Sequence, residues 1–138
     1  MSSAPQTWVI DTKVLVTALL TPGRICDRIL RAAVDGQIRL AWNAPMLAEY
    51  RAVLCRRKFG LSPVTVTALL GAFGPTDQVA LRVAPSLPDP DDEVFLAAAL
   101  ATKDKILVTG NRAHFPPARC FPVQVLSPAE AVRNLERP

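Results

Sequence analysis

Four polar residues stand out by type and position: Asp11, Glu49, Asp92 and Asn111. Asp11 directly follows the apolar run Trp8-Val9-Ile10, and Asn111 follows Ile106-Leu107-Val108 after Thr109-Gly110. Asp92 lies just ahead of an Ala-rich apolar stretch, and Glu49 falls inside a helical-period segment, beside its apolar stripe. Carboxylates brought to one place repel and raise each other's pKa. A hard divalent cation removes the conflict, because Mg2+ or Mn2+ takes carboxylate oxygens and keeps several waters. Such an ion orients and activates water and neutralises charge building on a phosphate. If the four residues converge, they favour metal-assisted phosphodiester hydrolysis over a bare carboxylate dyad. Each also has an ordinary structural role. Asp11 and Asp92 have the type and place of helix caps, Asn111 after glycine is a common turn residue, and Glu49 suits a solvated helix face.

Convergence depends on the elements that carry these residues. Short, continuous apolar or alternating runs predict strands at 8–10, 38–42, 78–83, 106–108 and 123–125. Apolar residues at positions 14, 15, 18 and 19 predict a helix over 12–20, broken by Pro22-Gly23. A second helix over 25–34 turns Ile25, Ile29, Leu30 and Ala33 inward, and Gly36 stops it. Pro45 opens a third helix, which carries Met46, Leu47, Tyr50, Val53 and Leu54 and ends at Arg56-Arg57-Lys58. Ser62-Pro63 and Ser127-Pro128-Ala129-Glu130 open two more, the last running to about residue 135. Pro85 to Pro90 is a rigid loop, after which Asp91 or Asp92 caps a helix over 94–101 whose alanines suit close packing on a sheet. Strands alternating with helices predict an α/β fold with a mostly parallel sheet, whose ligand crevice lies outside the carboxyl ends of the strands.

The bulk numbers agree with one domain over residues 1–138, its core spanning about 7–135. Half of the residues are hydrophobic and 20% are charged, enough for a core without disulfides or a structural metal. The net charge of +4 is a modest basic excess. Cys26, Cys55 and Cys120 are too scattered for a zinc site and suit reduced thiols, two of them packed. Residues 1–7 lack the basic and apolar regions of a signal peptide, and no apolar run is long enough to span a bilayer, so a cytoplasmic protein without membrane contact is expected.

The ordered motifs resemble those of the PIN-domain family. Trp8-Val9-Ile10-Asp11-Thr12-Lys13-Val14-Leu15 is similar to the first motif, a strand followed by Asp-Thr-Asn. Ala44 to Leu54 is similar to the second, a helix presenting Glu49. Asp89-Pro90-Asp91-Asp92-Glu93-Val94-Phe95-Leu96 resembles the third, and Leu107-Val108-Thr109-Gly110-Asn111 the fourth. Ser127-Pro128-Ala129-Glu130 matches the usual ending of one branch of toxins, those of bacterial toxin–antitoxin pairs. The resemblance implies an α/β/α sandwich and an endoribonuclease using Mg2+ or Mn2+. Asp11, Glu49 and Asp92 match the acidic metal positions, with Asp91 and Glu93 flanking the last. Asn111 completes the catalytic set, and Thr12, Lys13, Thr109 and Glu93 support it. The resemblance also implies an RNA substrate, an antitoxin that covers the crevice, and a homodimer.

Two positions depart from the family pattern. Lys13 stands where Asn is usual, and Asn111 where Asp is frequent. Both changes make the site less negative, Lys13 by adding a positive charge and Asn111 by lacking a negative one, and Glu93 would partly compensate; Lys13 could instead contact the scissile phosphate. A PIN fold that binds RNA or a protein without cutting is therefore the second expectation, and a receiver-like signalling domain a distant third. Arg24, Arg28 and Arg31, with Arg51, Arg56, Arg57 and Lys58, are candidates to track an RNA backbone or simply solvated helix faces. His114 is expected to be a loop residue.

Overall fold

The computed structural model describes residues 5–83 and 85–136. Residues 1–4, which open the segment expected to lack a signal peptide, lie outside them. Four strands form one parallel sheet: β1 (Gln6–Ile10), β2 (Ile38–Leu40), β3 (Ile106–Val108) and β4 (Gln124–Leu126), in the order β2-β1-β3-β4. The fold is α/β, with helices flanking the sheet. The central strands read as unbroken apolar runs because they are covered on both faces: Trp8, Val9, Ile10, Ile106, Leu107 and Val108 are all buried.

Seven helices accompany the sheet among the described residues: α1 (Thr12–Leu20), α2 (Ile25–Val34), α3 (Ala44–Leu54), α4 (Pro63–Leu70), α5 (Glu93–Leu100), α6 (Pro117–Cys120) and α7 (Pro128–Glu136). α1 packs on α2 and α2 on α7, while α3 packs on α4 and α5. The small side chains of Ala97, Ala98 and Ala99 let α5 approach β1 and β3 closely, and all three are buried. Local chemistry sets the helix starts. Asn43 accepts from the Met46 N–H and Ser62 from the Thr65 N–H, each with proline in the first turn. Ser127 and Glu130 form a reciprocal capping box at α7: the Glu130 N–H donates to Ser127 Oγ, and the Ser127 N–H to Glu130 Oε1.

The structure corrects several sequence expectations. Residues 78–83 form no strand; Gln78 makes a single parallel bridge to Trp42, and Leu81 and Val83 point into solvent. β-Branched composition suits a pleated surface but cannot create a partner strand. The strand expected over 38–42 ends its sheet pairing at Leu40, and the last strand lies one residue later than expected. On α2 the buried stripe is Cys26, Ile29, Leu30 and Ala32, whereas Ile25 is exposed and Ala33 only partly covered. Cys26 and Cys120 are buried and Cys55 is exposed; all three are free thiols. No helix among the described residues is long and apolar enough to cross a membrane.

Candidate active site at the sheet switch point

β1 has β2 on one side and β3 on the other, so the chain moves from β1 to β2 and then crosses back past β1 to β3. That reversal opens a crevice at the carboxyl ends of β1 and β3. The Asp11 N–H donates to Val108 O (2.9 Å), which locks the first residue after β1 beside the end of β3. A cleft of about 180 Å³ lies there. Asp11, Glu49, Asp92 and Asn111 all line it, so residues separated by up to 100 positions meet in one place.

Each arrives by a different route. Asp11 is 7% exposed, and its carboxylate gives α1 no cap; Oδ2 instead accepts the Thr109 hydroxyl at 2.8 Å. Thr109 is fully buried and its Oγ1 also accepts the Asn111 N–H at 3.1 Å, so one side chain ties both loop ends together. Glu49 is held by α3, whose buried stripe is Met46, Tyr50 and Leu54. Tyr50 fixes this helix to the site: its hydroxyl donates to Ile10 O, the carbonyl just before Asp11, and its ring packs on Phe73 and Phe95. Burial, reinforced by the Asp11 charge, holds the Tyr50 hydroxyl well above its usual pKa.

Asp92 does not cap α5 through its side chain. A 3-10 turn over Pro90–Asp92 extends the helix backwards, so Asp92 already has helical backbone angles. Asp89 takes the cap instead, its Oδ1 accepting the Asp91 N–H at 3.0 Å. Asp92 is thereby released into the cleft, where its Oδ2 lies 2.9 Å from His114 Nδ1. Burial, and next the Asp11 charge, push the Asp92 carboxyl above the usual carboxylate range; the hydrogen bond to His114 opposes them.

Not every expected site residue points inward. Glu93 accepts the Leu87 N–H at 3.0 Å and so pins the preceding loop rather than restoring charge to the cleft. Lys13 is exposed on the cleft wall, and it also borders a neighbouring cavity of about 310 Å³ with Asn111 and Thr17. The arginines divide. Arg28 pairs with Glu136, Arg31 with Asp27, and Arg51 leans toward Thr67, while Arg24 and Arg57 are exposed away from the cleft lining. Arg56 alone of this group lines the cleft.

Sequence reasoning missed Asp89 and His114, which also line the cleft. One ligand atom from each of Asp89, Asp92 and His114 lies within 4.8 Å of the others, the only such cluster among the described residues. His114 stands in the loop after β3 as expected, and the 3-10 turn over Arg112–His114 also brings its ring against Asp92. The available signal was modest: His114 is the sole histidine, three residues beyond Asn111.

The donor set fits a divalent cation. Asp11 is buried, yet its partner is a neutral hydroxyl, and it forms no ion pair among the described residues. A second carboxylate, Asp92, is repelled by it. In the same wall, Thr12 is 5% exposed and its Oγ1 has no hydrogen-bond partner. Buried negative charge without a counter-charge costs free energy that a cation offsets.

The match to known proteins agrees with this geometry. The PIN domain family matches residues 7–113, most of the chain, and the protein belongs to that family. No curated protein and no solved structure matches it.

Proposed function

We propose that this protein is a metal-dependent endoribonuclease and the toxin of a toxin–antitoxin pair. The observation that carries the catalytic part is the meeting of Asp11, Glu49 and Asp92, from three separate elements, in one cleft at the sheet switch point. Asp11, Glu49 and Asp92 would hold Mg2+ or Mn2+ directly or through water. The bound ion would supply a water of lowered pKa and would neutralise charge on the phosphate.

The chain's own residues do the rest. Thr109 orients Asp11, and His114 restrains Asp92. Asn111 offers an amide oxygen without charge. Arg56 brings a guanidinium to the cleft wall, where it can fork onto a phosphate, and exposed Lys13 adds a point charge. The toxin assignment is supported by the ordered motifs and by the Ser127-Pro128-Ala129-Glu130 ending. It brings a small antitoxin covering the cleft, and a homodimer, as part of the proposal.

Lys13 and Asn111 favour a second reading, a PIN fold that binds RNA or protein without cutting. The test is cleavage of a mixed single-stranded RNA pool with Mn2+, with Mg2+ and with EDTA, beside Asp11→Ala and Asp92→Ala. Metal-dependent cutting that disappears in both variants is expected. Folded wild type that cuts with neither metal would leave the binding-only reading, and Lys13→Asn with Asn111→Asp should then restore activity.

A further inference from the structure

We propose that Asp89, Asp92 and His114 form a mixed oxygen–nitrogen metal site on the cleft wall, one that takes Mn2+ or Zn2+ in preference to Mg2+. The proposal rests on the metal-dependent reading above and names ligands and metal class for that same cleft. Two of these residues, Asp89 and His114, lie outside the acidic set that the sequence singled out.

The geometry is close to that of a bound ion. Metal–oxygen and metal–nitrogen bonds of about 2.0–2.2 Å place ligand atoms up to roughly 4.4 Å apart. The three ligand atoms lie within 4.8 Å of one another, so small side-chain rotations close the site. Each group arrives already held. Asp89 spends Oδ1 on the Asp91 N–H, which leaves Oδ2 without a protein partner. Asp92 meets His114 through Oδ2, which leaves Oδ1. The His114 backbone is fixed by its N–H to Asn111 O at 3.2 Å. A neutral imidazole always has one nitrogen lone pair to give. With the ring proton on Nε2, the Nδ1 lone pair faces Asp92 Oδ2 at 2.9 Å, a separation of donor atoms that one ion can bridge in place of the hydrogen bond.

A separate observation also points to a ligand in the cleft. Thr12 lines the same cleft, and its hydroxyl is buried without a hydrogen-bond partner, a polar group of the kind that a bound ligand or water commonly satisfies. The donor types decide the metal class. Mg2+ demands oxygen in near-ideal octahedral geometry, whereas imidazole suits later divalent metals and Mn2+ tolerates both donors.

His114 is the sole histidine, so its ring nitrogens can be observed without interference in tag-free, 15N-histidine-labelled protein. Zn2+ is titrated while the ring 15N signals are followed by NMR. Mn2+ and Mg2+ binding is measured by calorimetry for wild type, His114→Gln, Asp89→Asn and Asp11→Asn, with circular dichroism to check folding. Asp89→Asn keeps an oxygen to cap the 3-10 turn. The expected result is a coordination shift of one His114 ring nitrogen at stoichiometric Zn2+. Mn2+ should bind at least tenfold more tightly than Mg2+, and His114→Gln and Asp89→Asn should each lose about tenfold or more in Mn2+ affinity. If metal binds but the ring signals do not move, and only Asp11→Asn weakens binding, this ligand assignment is overturned while the metal-dependent function stands. If wild type binds none of the three metals, both fall.

Discussion

Thr109→Val removes one hydroxyl from the centre of the site and nearly preserves side-chain shape. Thr109 is fully buried, donates to Asp11 Oδ2 and accepts from the Asn111 N–H. A hydrogen bond to a charged group contributes about 1.5–3 kcal/mol, and the half-buried Asn111 N–H loses its partner as well. The expected loss at neutral pH is therefore about 2–3 kcal/mol. For a chain of 138 residues this lowers Tm by roughly 10 °C. Thr109→Ser is the control: it keeps the hydroxyl and deletes one buried methyl, costing about 1 kcal/mol. Urea unfolding should place wild type first, Ser second and Val third, with the denaturant slope unchanged. Mn2+ affinity should fall about 10- to 100-fold in Val and little in Ser, because a group that orients a ligand is missing only in Val. Val as stable as Ser, with wild-type metal affinity, would refute the inference that this hydroxyl holds Asp11 in place.

Two further outcomes follow from the same geometry. Arg56→Ala should weaken single-stranded RNA binding and reduce the slope of log affinity against log salt by about 0.7, the value for one lost phosphate contact. Fluorescence anisotropy on an Asp11→Asn background, which blocks cleavage, measures it; an unchanged slope would place Arg56 off the RNA path. At α7, the Ser127 N–H and hydroxyl hold the Glu130 carboxyl below its ordinary value of 4.5. Its stabilisation is thus fully present above that value and is lost as pH falls through the lower folded-state pKa. The gap in urea midpoint between wild type and Glu130→Gln should shrink on going from pH 7 to pH 3, and a constant gap would show that the capping box is not charge-dependent.

Much of the fold was legible in the sequence because it is written in local chemistry. Apolar runs gave the four paired strands within a residue or two, and Asn43, Ser62 and Ser127 mark helix starts that need only neighbouring N–H groups. The run at 78–83 forms no strand because a strand exists only through its partner, and beside the β2 edge its pairing stops at the single Trp42–Gln78 bridge. Likewise Asp92 has the composition of a cap, yet the 3-10 turn handed that task to Asp89.

The sequence by itself determined which polar residues stand at the ends of which elements, since Asp11 follows β1 directly, Asn111 follows β3 after two residues, and strand direction in a parallel sheet sends both to one edge. Only the tertiary structure decided who shares the cleft with them. The β2-β1-β3-β4 order sets Thr109 against Asp11, a turn after β3 folds His114 onto Asp92, and a backbone N–H draws Glu93 away toward Leu87. These choices turn on distances between residues far apart along the chain, which side-chain type and local period do not encode.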